Sequence, residues 1–117
     1  MALRCFLHAK IHNATITEAN VNYRGSIGIC PKLLKASGIK AYEQVDVYNI
    51  TNGNRLTTYV IEGKEGEICL NGAAALKGSV GDKVIIAAYT YLSGDEIEKH
   101  KPTVVIVGEN NSIEEII

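Results

Sequence analysis

The sequence has 117 residues, a length that suits one domain built on one hydrophobic core. Apolar residues make up 46% and charged residues 21%, which is the composition of a folded globular protein and excludes a wholly disordered chain. Twelve Lys and Arg against thirteen Asp and Glu give a formal net charge of -1. This balance removes the electrostatic argument for a general nucleic-acid or anionic-membrane binder, so we expect neither partner.

The N-terminal region has no apolar signal-peptide segment before Lys10, and the longest apolar run, residues 84–89, is too short for a membrane helix. The three cysteines, Cys5, Cys30 and Cys69, include no Cys-x-x-Cys pair. We expect them to be small buried apolar groups rather than nucleophiles. An odd number of such cysteines suits a reducing compartment, so we expect a cytoplasmic protein.

Strand signals dominate the chain. In chain order, strands are predicted over residues 3–16 (with a break near Asn13), 26–29, 45–49, 55–61, 67–70, 83–91 and 103–107. Asn52-Gly53 separates two of these strands and predicts a β-hairpin. The segment from Gly63 to Gly66 lacks the pattern of a phosphate-binding loop and is also expected to be a hairpin turn.

Two short helices are predicted among the strands. The first covers residues 31–37, because Pro31 suits a helix start and Gly38 suits the position after a helix end. The second runs from a capping box at residues 93–96 to His100. Many short strands with two small helices favour a closed β-barrel. The polar tail after Gly108 is expected to be loosely held.

Gly25-Ser26 is the first candidate for chemistry. Alone, this dipeptide is typical of a turn. A chemical alternative is that the Ser26 hydroxyl attacks the Gly25 carbonyl, since glycine tolerates a strained backbone and leaves its carbonyl open. The amide would become an ester, and elimination followed by hydrolysis would leave a pyruvoyl group on the new N-terminus.

The strand after the Asn-Gly turn is the second candidate. Strand alternation puts Arg55, Thr57 and Tyr59 on one face, and Leu56 and Thr58 on the other. Arg55 could bind a carboxylate through two hydrogen bonds, and Tyr59 could donate a proton in the same pocket. From the local pattern alone, a solvated Arg and an amphipathic Tyr at a barrel rim is the preferred interpretation of these residues, since both types are common at surfaces.

An ordered set of short motifs covers nearly the whole chain and resembles the pyruvoyl-dependent aspartate 1-decarboxylases of the bacterial pantothenate pathway. Each motif is weak alone, but the set at these spacings is highly specific. The motifs are Lys10-Ile11-His12, Ala14-Thr15-Ile16-Thr17, Tyr23-x-Gly25-Ser26, Asn49-x-Thr51-Asn52-Gly53-x-Arg55, Thr57-Thr58-Tyr59, Asn71-Gly72-Ala73-Ala74-Ala75, Val80-Gly81-Asp82 and Val84-Ile85-Ile86-Ala87.

The resemblance implies a mainly β fold, a six-stranded double-psi β-barrel with short helices, assembled as a homotetramer with active sites between subunits. It implies that the single domain 1–117 cleaves itself between Gly25 and Ser26 into a β chain, 1–25, and an α chain, 26–117. The pyruvoyl group made from Ser26 would be the covalent cofactor. It would form a Schiff base with L-aspartate and accept the electron pair released with CO2, which gives β-alanine.

The resemblance also implies roles for individual residues. Ser26 becomes the pyruvoyl group, Tyr59 donates the proton that replaces CO2, and Thr58 assists cleavage near the Gly25 carbonyl. Substrate binding falls to a larger set, with His12 and Tyr23 in supporting roles. The substrate-binding residues are Arg55, Lys10, Asn71, Gly72, Ala73, Ala74 and Ala75; a capped helical turn is the alternative interpretation of residues 71–75.

The chain departs from this family at two positions after Ser26. Gly28 replaces a bulkier residue of many relatives, and Cys30 replaces an Asp, so the geometry of this strand is open. His8 and His12 have a spacing that would suit zinc on a helix, but their segment is predicted to be a strand, so we expect no metal. A small β-barrel binding module that kept the scaffold is the alternative to an enzyme.

Overall fold

The computed structural model describes residues 2–117. Its strands are β1 (Arg4–Thr15), β2 (Glu18–Asn20), β3 (Ser26–Ile29), β4 (Gln44–Asn49), β5 (Arg55–Glu62), β6 (Ile68–Asn71), β7 (Lys83–Leu92), β8 (Thr103–Val107) and β9 (Ile113–Ile116). Its α-helices are α1 (Pro31–Ser37) and α2 (Asp95–Lys99), and its 3-10 helices cover Gly72–Leu76 and Glu109–Asn111.

All nine strands join one hydrogen-bonded order, β2-β6-β3-β5-β4-β7-β1-β8-β9. The mainly β class with short helices is therefore confirmed, while the six-stranded double-psi barrel stays a prediction. Strand β3 lies between two partners: it pairs in parallel with β5 and antiparallel with β6. The N-terminus of β3, which is Ser26, is thus placed by two neighbouring strands.

The core lies on one face of the long strands. Ile11, Ile86, Val47 and Leu56 are successive cross-strand partners on β1, β7, β4 and β5. The first three are fully buried and Leu56 packs against the same cluster. Branched apolar side chains on neighbouring strands fill this face closely, and their burial stabilises the sheet. The neighbouring row, Lys10, Ala87, Asp46 and Thr57, faces the other side of the sheet.

The predicted hairpin is confirmed: β4 and β5 pair antiparallel around the Asn-Gly turn, and Gly53 has the left-handed φ of 79° that this turn requires. The predicted break near Asn13 is a β-bulge. The β1–β7 register shifts between His12 and Ala14, and Asn13 has a φ of 71°. Asparagine tolerates this conformation better than most residues do, so the strand continues beyond the bulge.

The two predicted helices are also present. Helix α1 begins at Pro31 and ends before Gly38, whose amide donates to the Leu34 carbonyl at 2.9 Å. Its N-cap, Cys30, makes no side-chain cap hydrogen bond, which an Asp at that position would be able to make. In α2 the Ser93 amide donates to Glu96 Oε1 at 3.1 Å. No helix within residues 2–117 is long and apolar enough to cross a membrane.

The prediction of a loose tail is wrong. Strand β9 pairs with β8, and Asn111, just before it, is buried. The Asn111 side chain accepts a hydrogen bond from the Thr15 amide at 2.8 Å and donates to the carbonyls of Thr15 and Gly66 at 3.0 and 2.9 Å. These bonds fix the tail to two distant segments, which a polar composition alone does not reveal.

The prediction of a hairpin turn at Gly63–Gly66 is also wrong. The segment does turn, but it connects β5 to β6, and β3 lies between these two strands in the sheet. The expectation for the cysteines is right for Cys30 and Cys69, which are buried, and wrong for Cys5, which is exposed.

Candidate active site

Ser26 is buried at the first position of β3, with 1% of its surface exposed. Its hydroxyl donates a hydrogen bond to the Arg24 carbonyl at 3.2 Å and accepts one from Asn71 Nδ2 at 3.0 Å. Two partners therefore hold the Oγ atom at the bond that joins Gly25 to β3. This bond, between Gly25 and Ser26, is the proposed cleavage site.

Strand β3 is regular despite the two departures from the family. All four of its residues are buried, and a Cβ atom added at Gly28 would lie 3.5 Å from Cys69 Cβ, an ordinary contact. The glycine is therefore compatible with the strand but is not required by crowding. Ser26 is therefore the first residue of a regular strand.

Asn71 lies directly opposite Ser26 in the antiparallel pair of β3 and β6. It precedes the 3-10 helix Gly72–Leu76, yet its side chain makes no cap hydrogen bond to that helix. The side-chain amide is used instead for Ser26. The alternative interpretation of residues 71–75, a capped helical turn, is therefore right about the helical turn and wrong about the side-chain cap.

Gly72 brings two backbone segments into contact beside the proposed cleavage site. A Cβ atom at this position would lie 2.7 Å from both the Cα and the nitrogen of Gly25, and 3.0 Å from the Tyr23 carbonyl oxygen. Its φ of 63° is also left-handed. Glycine is thus needed here for two reasons, the close approach and the backbone conformation.

An open cleft of about 420 Å³ lies on the other side of Gly25. It exists because β3 pairs with β5 only from Val60 onward, which leaves the edge of the first half of β5 free. The lining residues come from this edge and from the segment after β6: Gly25, Leu56, Thr57, Thr58, Tyr59, Ala73, Ala74 and Lys77. Within this set, Gly25, Thr58, Tyr59, Ala73 and Ala74 were predicted site residues.

Thr58 and Tyr59 reach the cleft from opposite faces of β5. The parallel register pairs Ile27 with Val60, so Gly25 and Thr58 each lie two residues before the first pair, and both line the cleft. Thr58 is half-buried, whereas 39% of the Tyr59 surface is exposed. The alternation predicted from the sequence is therefore present, and the two neighbours offer different groups to the cleft.

Arg55 lies at the start of β5, next to the cleft rather than in it. Its guanidinium carbon is 4.5 Å from the centre of the Tyr48 ring, which is a cation–π contact. The Tyr48 hydroxyl in turn lies 2.7 Å from the Tyr89 hydroxyl, and this hydrogen bond, followed by burial, raises the pKa of Tyr48. Arg55, Tyr48, Leu56, Thr57 and Asp46 line a second, shallow depression that shares two residues with the cleft.

Within one chain, Lys10 and Arg55 lie on strands that are far apart in the sheet. A single cross-strand row runs from Lys10 through Ala87 and Asp46 to Thr57, so Lys10 and β5 are three strand spacings apart. At about 4.8 Å per spacing this is about 14 Å. The two cations do share one face of the sheet, because Arg55 is two residues from Thr57.

The two supporting residues, His12 and Tyr23, lie away from the cleft. His12 is on β1, and its Nδ1 atom is buried with no hydrogen-bond partner among residues 2–117. Tyr23 is 54% exposed and lines another cavity, of about 350 Å³, together with Cys69 and Asn71. Ala75, the last of the four predicted small residues that follow Asn71, packs against the core.

Four residues of the site were not predicted to belong to it: Leu56, Thr57 and Lys77 in the cleft, and Cys69 next to Asn71. Lys77 lines the cleft, and its carbonyl oxygen accepts hydrogen bonds from the side chains of Asn49, Asn52 and Asn54. Cys69 contacts Asn71 from behind Ser26. The asparagine-rich turn was a signal for Lys77, but no local pattern distinguishes Cys69 from any other buried strand residue. Residues 2–117 hold no cluster of three or more His, Cys, Asp or Glu suited to a metal ion.

The geometry defines a small mainly β protein with a buried serine at a glycine-serine bond beside an open cleft. Comparison with known proteins identifies the family. The sequence model of the aspartate decarboxylase family matches residues 1–114, so the chain belongs to this family of decarboxylating enzymes, which are carboxy-lyases.

Named relatives agree with this assignment. The chain is 58% identical to the aspartate 1-decarboxylase of Bdellovibrio bacteriovorus over 109 residues, which is 93% of this chain and 88% of the relative. It is 50% identical to that of Desulfotalea psychrophila over 117 residues, 98% of each chain. It is 51% identical to that of Aliarcobacter butzleri over 110 residues, 92% of this chain and 87% of the relative.

Proposed function

We propose that this chain decarboxylates L-aspartate to β-alanine and CO2, in pantothenate biosynthesis, with a pyruvoyl group that it makes from its own Ser26. In this proposal the single domain 1–117 is cut between residues 25 and 26 into a β chain, 1–25, and an α chain, 26–117. The observation that carries the proposal is the position of Ser26: its buried hydroxyl is held between Asn71 and the Arg24 carbonyl, and the preceding residue, Gly25, borders an open cleft. The three free cysteines favour a cytoplasmic site of action.

Self-cleavage needs no external reagent except water. Ser26 Oγ attacks the Gly25 carbonyl carbon, the C–N bond breaks, and the hydroxyl proton ends on the Ser26 nitrogen, so the amide becomes an ester. Elimination then takes the proton from Ser26 Cα and releases the Gly25 carboxylate. Water adds to the carbon that holds the nitrogen, ammonia leaves, and the ketone of the pyruvoyl group remains.

The surroundings of Gly25 suit this chemistry. A Cβ atom added at Gly25 would meet no atom within 4 Å, so there is open space beside this residue, where the cleft lies. Gly72 packs against its other side, which limits how the Gly25 backbone can move. In this proposal Thr58, which lines the cleft together with Gly25, donates a hydrogen bond to the oxygen on which negative charge develops.

The pyruvoyl ketone supplies an electron sink: it binds the amine of the substrate and withdraws the electron pair that departing CO2 leaves. The new N-terminus of the α chain would lie at the start of β3, next to the cleft. Ala73 and Ala74 border the same space with small side chains, which leaves room for a compact amino acid. The residues present therefore fit the group.

Substrate binding in this proposal uses two cations from different places. Arg55 offers two parallel hydrogen bonds to a carboxylate, and Lys10 offers a point charge. About 14 Å of sheet separates their strands within one chain, so we place Lys10 of one subunit and Arg55 of another at a shared site. This arrangement fits the homotetramer with sites between subunits that the family resemblance implies. Tyr59, exposed at the cleft, would donate the proton that replaces CO2.

The test is product formation by the purified protein. Incubation with L-aspartate should yield equal amounts of β-alanine and CO2, and Ser26→Ala should yield neither, because it has no hydroxyl to form the ester. Treatment with a carbonyl reagent such as hydroxylamine should abolish the parent's activity. An active Ser26→Ala protein would contradict the proposed cofactor, and a fully cleaved parent without β-alanine would contradict the proposed substrate.

A further inference from the structure

A chain of hydrogen bonds leads from Ser26 through Asn71 and Cys69 to the exposed Glu18, which with Asn71 and Cys69 lines the cavity of about 350 Å³. Asn71 Nδ2 donates to Ser26 Oγ at 3.0 Å, and the other end of the same amide, Oδ1, accepts from the Cys69 thiol at 3.0 Å. The Cys69 sulfur also lies 3.3 Å from Glu18 Oε2. Ser26, Asn71 and Cys69 are all buried. The side chains of Asn71, Cys69 and Glu18 are thus linked in this order to the Ser26 hydroxyl.

Cys69, the residue that donates to Asn71 Oδ1, is a thiol rather than a thiolate. Burial, the hydrogen bond and negative charge of Glu18, and the charge of Glu67 together raise the pKa of Cys69 to about 12. Cys69 therefore holds its proton at neutral pH and is a poor nucleophile. It has one hydrogen to donate, for which Asn71 Oδ1 and the Glu18 carboxylate compete.

We propose that Cys69 is a positioning residue for self-cleavage, which it promotes by holding the Asn71 amide in the orientation that presents its N–H₂ end to Ser26. The inference rests on the proposed function, because it concerns the rate at which the Gly25–Ser26 bond is cut. An asparagine amide has a donor end and an acceptor end of nearly the same shape. The Cys69 thiol, which donates a hydrogen bond to Oδ1, favours one of the two orientations of the Asn71 amide.

The orientation matters because it decides which hydrogen bonds the Ser26 hydroxyl can make. With Nδ2 toward Ser26, the oxygen is held by a donor, its proton points to the Arg24 carbonyl, and a lone pair stays free for attack. With the amide reversed, Oδ1 would compete with the Arg24 carbonyl for the hydroxyl proton and rotate the hydroxyl away from its present direction. Loss of the thiol donor should therefore slow cleavage without removing any group from the cleft.

Two substitutions at position 69 separate hydrogen bonding from packing. Cys69→Ser keeps a donor but is smaller, while Cys69→Val fills the space of the thiol without a donor and suits a buried strand. Cys30→Val is the matched control. Cys30 is also a buried free cysteine, but within residues 2–117 its thiol makes no hydrogen bond to Asn71. Thermal unfolding of each variant would verify that the fold is kept.

The experiment follows chain cleavage with time on denaturing gels, from freshly made protein in all four forms. Cys69→Ser and Cys30→Val should be cut within about twofold of the parent rate, and Cys69→Val about tenfold more slowly, the loss that one buried hydrogen bond of ordinary strength gives. If the parent is cut and Cys69→Val keeps pace with it, or Cys69→Ser is as slow as Cys69→Val, the inference fails while the proposed function stands. A parent that is never cut would overturn both.

Discussion

Gly72→Ala is the substitution for which the structure gives the most specific expectation. The added methyl group would start 2.7 Å from two backbone atoms of Gly25, and this separation must open to about 3.4 Å for an ordinary contact. Neither Gly25 nor the Tyr23 carbonyl on the same side is the flexible end of a side chain, so the backbone itself must shift. The substitution therefore displaces the carbonyl that Ser26 is proposed to attack.

The expected magnitudes follow from two separate costs. A left-handed φ costs a residue with a Cβ atom about 1–2 kcal/mol, and crowding of a packed site adds about 1–3 kcal/mol. Because a misplacement of about 1 Å can cost about a hundredfold in rate, a displacement somewhat smaller than this should slow cleavage by roughly tenfold or more. Gly38→Ala is the matched control: its φ of 80° is also left-handed, but the new methyl group meets nothing within 4 Å.

The assay combines denaturant unfolding with a time course of cleavage. Gly38→Ala should lose about 1–2 kcal/mol of stability and be cut at the parent rate. Gly72→Ala should lose more stability and be cut more slowly. The reasoning is refuted if both variants are cut equally fast, because contact between Gly72 and Gly25 would then have no bearing on the proposed cleavage site.

Three further predictions concern single side chains. Tyr59→Phe should still be cut but should make β-alanine roughly a hundredfold more slowly, as expected for loss of a general acid, whereas Thr58→Ala should be defective first in cleavage; the reverse pattern would exchange their roles. Arg55→Lys keeps the charge but loses the paired hydrogen bonds, so kcat/KM for L-aspartate should fall about tenfold or more, and an unchanged value would remove Arg55 from the substrate. Asn111→Ala should destabilise the fold by about 2–4 kcal/mol through its three lost hydrogen bonds, while Asn110→Ala, with a similar φ but an exposed side chain, should cost less.

Elements governed by local chemistry could be predicted from the sequence. The Asn-Gly turn fixed the β4–β5 hairpin, and Pro31 and Gly38 fixed the ends of α1, because each of these residues prefers one backbone conformation. The alternation of β5 correctly separated Thr58 from Tyr59. In all these cases the information lies within a few neighbouring residues.

Features that depend on distant segments could not be predicted in this way. The tail is fixed by Asn111, whose partners Thr15 and Gly66 lie far away in the sequence. The contact of Gly72 with Gly25 and the bond of Cys69 to Asn71 arise from the pairing of β3 with β6. The separation of Lys10 from Arg55 likewise follows from the strand order, which no local pattern encodes.

The most direct test of the whole account is the intact mass of the purified protein, recorded beside that of Ser26→Ala after the same incubation. The account predicts two fragments from the parent, residues 1–25 and residues 26–117, with the larger fragment carrying a pyruvoyl group in place of its N-terminal serine. Ser26→Ala should stay one chain with the full mass. A parent that remains unbroken, or a Ser26→Ala chain that is cut at the same bond, would contradict the account, and an unbroken parent would favour a binding module on this scaffold.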